Sequence, residues 1–141
     1  MEQTGGDRPV LTIALPYLPP KEFNPNSRVH WSQRYRAGQK VKDDVVALVL
    51  EQEWQGDALE KANVKITWTF PDKRRRDLDN LLSATKPCLD SLVLAGVIQD
   101  DSMNHIILEL AWQQGKKAET MIEVSAPEET KGVISERGDP E

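Results

Sequence analysis

The chain has 141 residues, 38% of them hydrophobic and 29% charged, which is the size and composition of one soluble globular domain. Its formal net charge of −5, taken alone, argues against a nucleic-acid partner, because nucleic-acid-binding domains are usually basic. The single cysteine, Cys88, excludes an internal disulfide and fits a reducing cytoplasm, and no apolar run is long enough to span a membrane.

The first half of the chain predicts a strand, a long loop and a helix. VLTIAL (Val10–Leu15) is rich in residues that favour strands. The next segment, LPYLPPKEFNPNSRVHW, holds four prolines and predicts a stiff loop, and loops of this length in small domains are usually functional or disordered. Over Ser32–Trp54 the apolar residues Val41, Val45 and Leu48 recur at i, i+4 and i+7, which predicts a helix.

The second half predicts three strands and a second, interrupted helix. The strands are the alternating segments Asn63–Phe70, His105–Trp112 and Ala118–Ser125. The leucine-rich segment Asn80–Ala95 predicts a helix that Pro87 kinks or divides and that Gly96 ends. The order β-α-β-α-β-β indicates an α+β domain over 10–125, with a mixed sheet and two main helices.

Charge is unevenly distributed along the chain. The tail 126–141 carries five acidic and two basic residues, a net charge of −3, and we expect it to be disordered, as we expect residues 1–9 to be flexible. The basic residues form two clusters instead. One is Lys73–Arg76, and the other contains Arg28, Arg34, Arg36, Lys40 and Lys42. The domain itself is therefore less acidic than the whole chain.

In the segment PDKRRRDLDN, four cations directly precede a pair of carboxylates. Asp77 and Asp79 are two residues apart, and on extended backbone such side chains point the same way. Each would raise the other's proton affinity, a conflict that a divalent cation such as Mg²⁺ removes. Asp100 or Asp101, in the turn after the second helix, offers a third carboxylate. Three aspartates are a plausible ligand set for one or two Mg²⁺ ions acting on a phosphodiester.

The same residues also have a purely structural interpretation. Aspartate ahead of a leucine-rich helix is typical of N-caps, and Asp-Asp-Ser is typical of turns. Geometry adds an objection, because an unbroken helix Asn80–Ala95 would be about 24 Å long. The residues Val97–Asp101 can retrace at most about 17 Å of that length. Asp101 therefore reaches Asp79 only if the helix breaks at Pro87 or if the site draws on two subunits.

The motifs RRRDLDNLL and LDSLVLAGVIQDDS, with LPYLPP and NPNSRVHW ahead of them, resemble the RusA family of Holliday junction resolvases, common in phages and prophages. The similarity extends from about Leu11 to Val124. It implies a Mg²⁺-dependent endodeoxyribonuclease that acts as a homodimer on four-way DNA junctions in recombination or repair, in the cytoplasm of a bacterial or phage-infected cell. It also implies catalytic, metal-binding aspartates at Asp77, Asp79 and Asp101, with Mn²⁺ as an alternative ion.

The resemblance further implies a lysine on the helix after DLDN. At the family's usual position this chain has Ser83, in a stretch that is longer than usual. Lys86 keeps the spacing of four residues before Asp90, so we assign the catalytic role to Lys86, with an ordinary exposed lysine as the alternative. Phe23 or Trp31 could stack on opened bases, although a core or loop anchor is the favoured interpretation of each. Phosphate contacts without sequence readout are expected from Lys73, Arg74, Arg75, Arg76, Arg34, Arg36 and Lys40.

Three other functions stay open on the sequence. A binding module would recognise branched DNA without cutting it. A different metal nuclease would use the same aspartates on flaps, mismatches or a recognition site. A phage assembly or regulatory protein would depend on its acidic tail and not on Asp79.

Overall fold

The part of the chain that the computed structural model describes, residues 10–23, 28–74, 76 and 78–127, contains a mixed sheet of four strands. The strands are β1 (Leu11–Leu15), β2 (Ala62–Phe70), β3 (Ile106–Gln114) and β4 (Glu119–Ser125). β4 lies between β1 and β2 and runs antiparallel to both, whereas β3 lies at the edge, parallel to β2. The parallel pair is possible because a helical crossover connects its strands. The predicted α+β class with a mixed sheet is confirmed.

The described residues form three α-helices. They are α1 (Trp31–Glu51), α2 (Leu78–Ser83) and α3 (Thr85–Leu94). α1 starts where His30 accepts a hydrogen bond from Ser32 N at 3.1 Å through its ring nitrogen Nδ1. It ends before the predicted Trp54, because Glu53 adopts a φ of 58°, which a right-handed helix does not allow.

The core lies between one face of the sheet and the helices. Burial alternates along β1 and β4, so one set of side chains meets the helices and the other faces outward. The α1 stripe that packs on the sheet is Val41, Val45 and Val49. Val49, which follows the predicted Leu48 directly, is the third buried residue of this stripe, and Leu48 is only partly buried.

The predicted interruption of the second helix exists, but Pro87 does not cause it. The break falls at Ala84, whose N–H bonds the carbonyl of Leu81 at 3.1 Å, and α3 starts afresh at Thr85. Pro87 lies in the first turn of α3, where its missing N–H has no helical partner to lose. Gly96, with a φ of +78°, follows the end of α3 as predicted.

The predicted strand at 105–112 forms as β3, but its apolar face is mostly exposed. Ile106 is buried, whereas Leu108 is 37% exposed and Trp112 is 70% exposed. The cause is position, because an edge strand has a neighbour on one side only, and here the helix layer leaves its far end open.

Two further predictions meet the limits of the described residues. Residues 1–9 lie outside them, as does the tail from 128 onward, so the expected flexible start and disordered tail stay predictions. In the described ranges, no helix is both long enough and apolar enough to cross a membrane.

Candidate active site

The break between α2 and α3 places Lys86 in the first turn of α3, where its ammonium meets two carboxylates. Lys86 Nζ donates to Asp90 Oδ1 at 2.9 Å, one turn along the same helix, and to Asp101 Oδ2 at 3.1 Å, after α3. The other oxygen of Asp90, Oδ2, lies 3.7 Å from Lys42 Nζ of α1. The four side chains thus alternate in charge from α1 to the turn that follows α3.

These charges stabilise one another. Hydrogen bonds to Asp90 and then to Asp101 raise the pKa of Lys86 above its ordinary value. The bond from Lys86 lowers the pKa of Asp101, against the opposing effect of partial burial. The side chain of Asp101 is 22% exposed and that of Lys86 is 68% exposed. Asp101 is therefore ionised at neutral pH and reachable from solvent, with the ammonium projecting beside it.

The break after α2 leaves α3 as a helix of only 10 residues, whose start Asp101 can reach. α3 ends at Leu94 and Gly96 turns the chain, so that Asp101 returns to Lys86 at the start of α3 within a single chain. Asp100 has a different place, since its Oδ1 accepts a hydrogen bond from the N–H of Asp101 at 2.9 Å. Of the two aspartates that the sequence offered, Asp101 is the one that contacts the lysine.

Asp79 is the DLDN aspartate that the structure describes, and Asp77 lies outside the described residues. Asp79 is exposed in the first turn of α2, where a carboxylate also interacts favourably with the helix dipole. Among the described residues, no group of three or more His, Cys, Asp or Glu side chains could hold a metal ion. The predicted metal ligands Asp77, Asp79 and Asp101 include Asp77, so this set stays a prediction. The carboxylate oxygens of the three aspartates are the hard donors that Mg²⁺ prefers.

The first basic cluster, Lys73–Arg76, is partly folded back on the domain. Asp72 Oδ1 accepts hydrogen bonds from the backbone N–H of Arg74 and from the guanidinium of Arg76, both at 3.0 Å. The Arg76 guanidinium also lies 4.2 Å from the centre of the Phe70 ring, and its side chain is only 18% exposed. Arg76 is therefore a packing residue in this structure, while Lys73 and Arg74 stay exposed and Arg75 lies outside the described residues.

Most of the second basic cluster lies on the first half of α1, where Arg34, Arg36 and Lys40 are exposed. Arg34 donates from Nε to the carbonyl of Glu22 at 2.9 Å, which ties the helix to the proline-rich loop. Lys40 pairs with Asp44 at 2.7 Å and lies 5.0 Å from the centre of the Tyr17 ring. Arg36 lines a wide groove between the loop and α1. Lys40 lines the same groove, and all three cations are exposed.

The two aromatic residues considered for base stacking behave differently. Phe23 is buried in the core and anchors the loop, as the favoured interpretation had it. Trp31 is 71% exposed at the first residue of α1, and Tyr35, one turn further, is also exposed. Trp31 is thus neither a core residue nor a buried anchor.

Known proteins of the same family were found by sequence comparison. The chain is 38% identical over 91 residues to the crossover junction endodeoxyribonuclease RusA of Enterobacteria phage HK97, an alignment that covers 63% of this chain and 72% of the phage protein. The chain belongs to the RusA family. A RusA crossover junction endodeoxyribonuclease of Aquifex aeolicus is 38% identical over 55 residues, 38% of this chain and 41% of that protein. An uncharacterised protein of Xylella fastidiosa is 28% identical over 108 residues, 74% of this chain and 70% of that protein.

RusA membership confirms the family that the motifs predicted, and with it the enzyme class, endodeoxyribonuclease. No family model matches the chain.

Sequence reasoning missed two parts of this RusA site. Asp90 entered only as a spacing mark for Lys86, and Lys42 only as a member of a basic cluster. The i, i+4 spacing of Lys86 and Asp90 was a usable signal for their contact. Lys42 carried no such signal, because its contact with Asp90 depends on how α1 packs on α3.

Proposed function

We propose that this RusA-family chain resolves four-way DNA junctions by paired, Mg²⁺-dependent nicks, acting as a homodimer in the cytoplasm. The observation that carries the proposal is the bond between Lys86 and Asp101. It joins Lys86, to which we assign the role of the family's catalytic lysine, to the second aspartate of the DDS motif. The relative named a crossover junction endodeoxyribonuclease, which aligns with 63% of this chain, supports the same activity.

Asp77, Asp79 and Asp101 are the residues that would hold the metal. Mg²⁺ bound there supplies a polarised phosphate and a water of lowered pKa. Asp101 offers an ionised, solvent-reachable carboxylate for this purpose. Carboxylate oxygens are the type of ligand that Mg²⁺ prefers, so the ion would bind where the three aspartates come together.

Lys86 supplies positive charge next to the reacting phosphate. Its ammonium is exposed and lies beside Asp101, so a phosphate drawn to that carboxylate's metal would meet it. Ser83, at the family's usual lysine position, cannot take this role, because it carries no charge and its hydroxyl donates to the Asp79 carbonyl at 3.1 Å. This contact supports the assignment to Lys86.

Phosphates of the junction arms would bind the two basic clusters. The helix cations Arg34, Arg36 and Lys40 are exposed, with Arg36 and Lys40 lining one groove, and Lys73 and Arg74 are exposed in the loop after β2. Such contacts position DNA without reading its sequence and weaken with salt. Arg76 contributes less than predicted, because it is packed on Phe70.

A second copy of the chain would cover an apolar surface formed by α2 and β3. No residue of α2 is buried, and Leu78 and Leu82, one turn apart, are 60% and 42% exposed. Leu81 and Trp112 line the same groove, so the exposed end of β3 adjoins α2. Apolar surface along an edge strand is normally covered by a partner. Two copies joined here would place two sites together, as paired nicks require, because Asp79 lies on α2.

The experiment is cleavage of a labelled four-way junction with Mg²⁺, beside linear duplex and flap substrates, for the native chain, Asp79→Asn and Asp101→Asn. We expect symmetric nicks on the junction only, and a loss of at least about 100-fold in each variant with binding retained. Asp57→Asn, which changes an exposed aspartate outside the motifs, is the matched control.

Two outcomes would contradict the proposal. Junction binding without cleavage in Mg²⁺ or Mn²⁺ would indicate a binding module, and cleavage of flaps or linear duplex in preference to junctions would indicate another metal nuclease. Sedimentation of the native chain tests the dimer separately, since a monomer that makes paired nicks is incompatible with the proposed assembly.

A further inference from the structure

We propose that Asp90 is a positioning residue that keeps the Lys86 ammonium in place while Asp101 binds the metal. The inference rests on the proposed function, because it concerns the same site. It assigns Asp90 a role distinct from that of the three metal-binding aspartates, since Asp90 acts only through the lysine.

Asp90 is the nearer of the two carboxylates that hold Lys86. Its Oδ1 lies 2.9 Å from Lys86 Nζ, and Asp101 Oδ2 lies 3.1 Å away on the other side. A carboxylate that coordinates Mg²⁺ turns an oxygen toward the ion and has its charge offset, so its attraction for a neighbouring ammonium falls. In the loaded site, Asp101 is therefore a weak anchor for Lys86, and Asp90 is the anchor that stays.

Asp90 is itself fixed from the opposite side. Its second oxygen lies 3.7 Å from Lys42 Nζ, and the side chains of Lys42 and Asp90 are 28% and 29% exposed. Lys86, at 68%, is far more exposed. Water screens the Lys42–Asp90 pair less than the Lys86–Asp90 pair, so the Asp90 carboxylate is held more firmly than the Lys86 ammonium. Lys42 of α1 thereby supports the position of Lys86 on α3 through Asp90, which both lysines contact.

The position of Lys86 in α3 leaves it dependent on this support. Lys86 is in the first turn of a helix that begins only at Thr85, directly after the break at Ala84. Within α3, among the described contacts, Asp90 is the side chain that binds the Lys86 ammonium. The two residues are at i and i+4, the spacing at which side chains on a helix meet.

The first test compares Asp90→Asn, Lys86→Ala and the double variant in single-turnover cleavage of a four-way junction. We expect each single variant to lower the rate constant about 10- to 100-fold, as removal of an orienting partner does at other metal sites. Junction affinity measured with Ca²⁺ should not change. The double variant should be no slower than Lys86→Ala, because Asp90 acts through Lys86.

Two controls separate positioning from folding. Asp90→Glu, which keeps the charge on a longer arm, should recover part of the rate. Glu109→Gln removes a carboxylate that also lies near a lysine, Lys65 at 3.9 Å, and should cleave at the native rate.

The second test needs no cleavage. The mobility of the Lys86 ε-methylene is followed by NMR in lysine-labelled protein, before and after addition of Mg²⁺ alone. We expect Lys86 to stay restricted in the native chain and to become mobile with Mg²⁺ in Asp90→Asn. Glu109→Gln should behave as the native chain does.

Three results would overturn the inference. The first is a native cleavage rate for Asp90→Asn. The second is a double variant whose loss of rate is the product of the two single losses. The third is a Lys86 side chain that, in the presence of Mg²⁺, is as restricted in Asp90→Asn as in the native chain. A native chain that does not cleave the junction would contradict the proposed function alone, because the NMR measurement still decides the role of Asp90.

Discussion

The two basic clusters of this RusA-family domain have similar composition and different surroundings. In the loop after β2, Arg76 lies against the Phe70 ring and pairs with Asp72, which also accepts the N–H of Arg74. On the first half of α1, the cations Arg34, Arg36 and Lys40 are exposed, and two of them line a groove. Lys40 pairs with Asp44 and Arg34 binds the Glu22 carbonyl, yet both stay exposed, whereas most of the Arg76 side chain is covered.

The difference shows that a run of cations cannot be equated with a DNA-binding surface. A loop lacks the repeating backbone hydrogen bonds of a helix, and the contact of Arg76 with an aromatic ring helps to fix its shape. The helix α1 has its shape from its own backbone hydrogen bonds, so its cations can make local contacts, as Lys40 does with Tyr17, and still remain exposed. We therefore expect the helix cluster to dominate affinity for DNA and Arg76 to dominate stability of the loop.

The largest effect is expected from removing the helix cations. The variant Arg34→Gln, Arg36→Gln, Lys40→Gln should bind a four-way junction about 10- to 100-fold more weakly at low salt. The slope of log affinity against log salt should fall by up to about 2.7, since each of the three phosphate contacts contributes about 0.9. Fluorescence anisotropy across a salt series measures both quantities.

The matched control neutralises three exposed lysines elsewhere, Lys61, Lys116 and Lys117. It makes the same change in net charge. Equal loss of affinity in the control would mean that total charge, and not the surface of α1, determines binding, and the contrast between the clusters would then fail.

The second effect is expected on stability, from Arg76→Ala. Loss of the contact with Phe70 should lower the free energy of unfolding by about 1–2 kcal/mol. Arg74→Ala is the matched variant, because its backbone N–H still bonds Asp72, and it should unfold as the native chain does. Urea denaturation measures both, and equal stability of the two variants would contradict the packing role of Arg76.

Much of the fold could be predicted from local patterns, because each element carries its own period. The four strands and α1 appeared within a few residues of their predicted positions. The break at Ala84 could not be found this way, since Pro87 was the stronger local signal and yet fits the first turn of a helix. The exposed face of β3 was also beyond a local pattern, because exposure there depends on strand order in the sheet.

In the candidate site too, local motifs predicted some features, whereas others depend on tertiary packing. Lys86 and Asp101 were predicted from motifs, and the structure brings them together. The fold-back of Arg76 and the support of Asp90 by Lys42 both depend on contacts between separate elements. The basic segment Lys73–Arg76 contains exposed residues and a packed one, Arg76, and only tertiary packing distinguishes them.

The smallest effect is expected from Asp72, and pH isolates it. The N–H of Arg74, and then the guanidinium of Arg76, lower the pKa of Asp72 below its ordinary value of 3.8. A carboxyl whose pKa is depressed by folding stabilises the fold above its ordinary pKa, and that stabilisation is lost as pH falls through the folded pKa. Asp72→Asn should therefore melt at most a few degrees below the native chain at pH 7. That difference should shrink below about pH 4 and vanish in stronger acid. Thermal melts from pH 7 to pH 2, with Asp57→Asn as the control, measure the effect. A difference that persists unchanged to pH 2 would show that the contribution of Asp72 to stability does not depend on its charge.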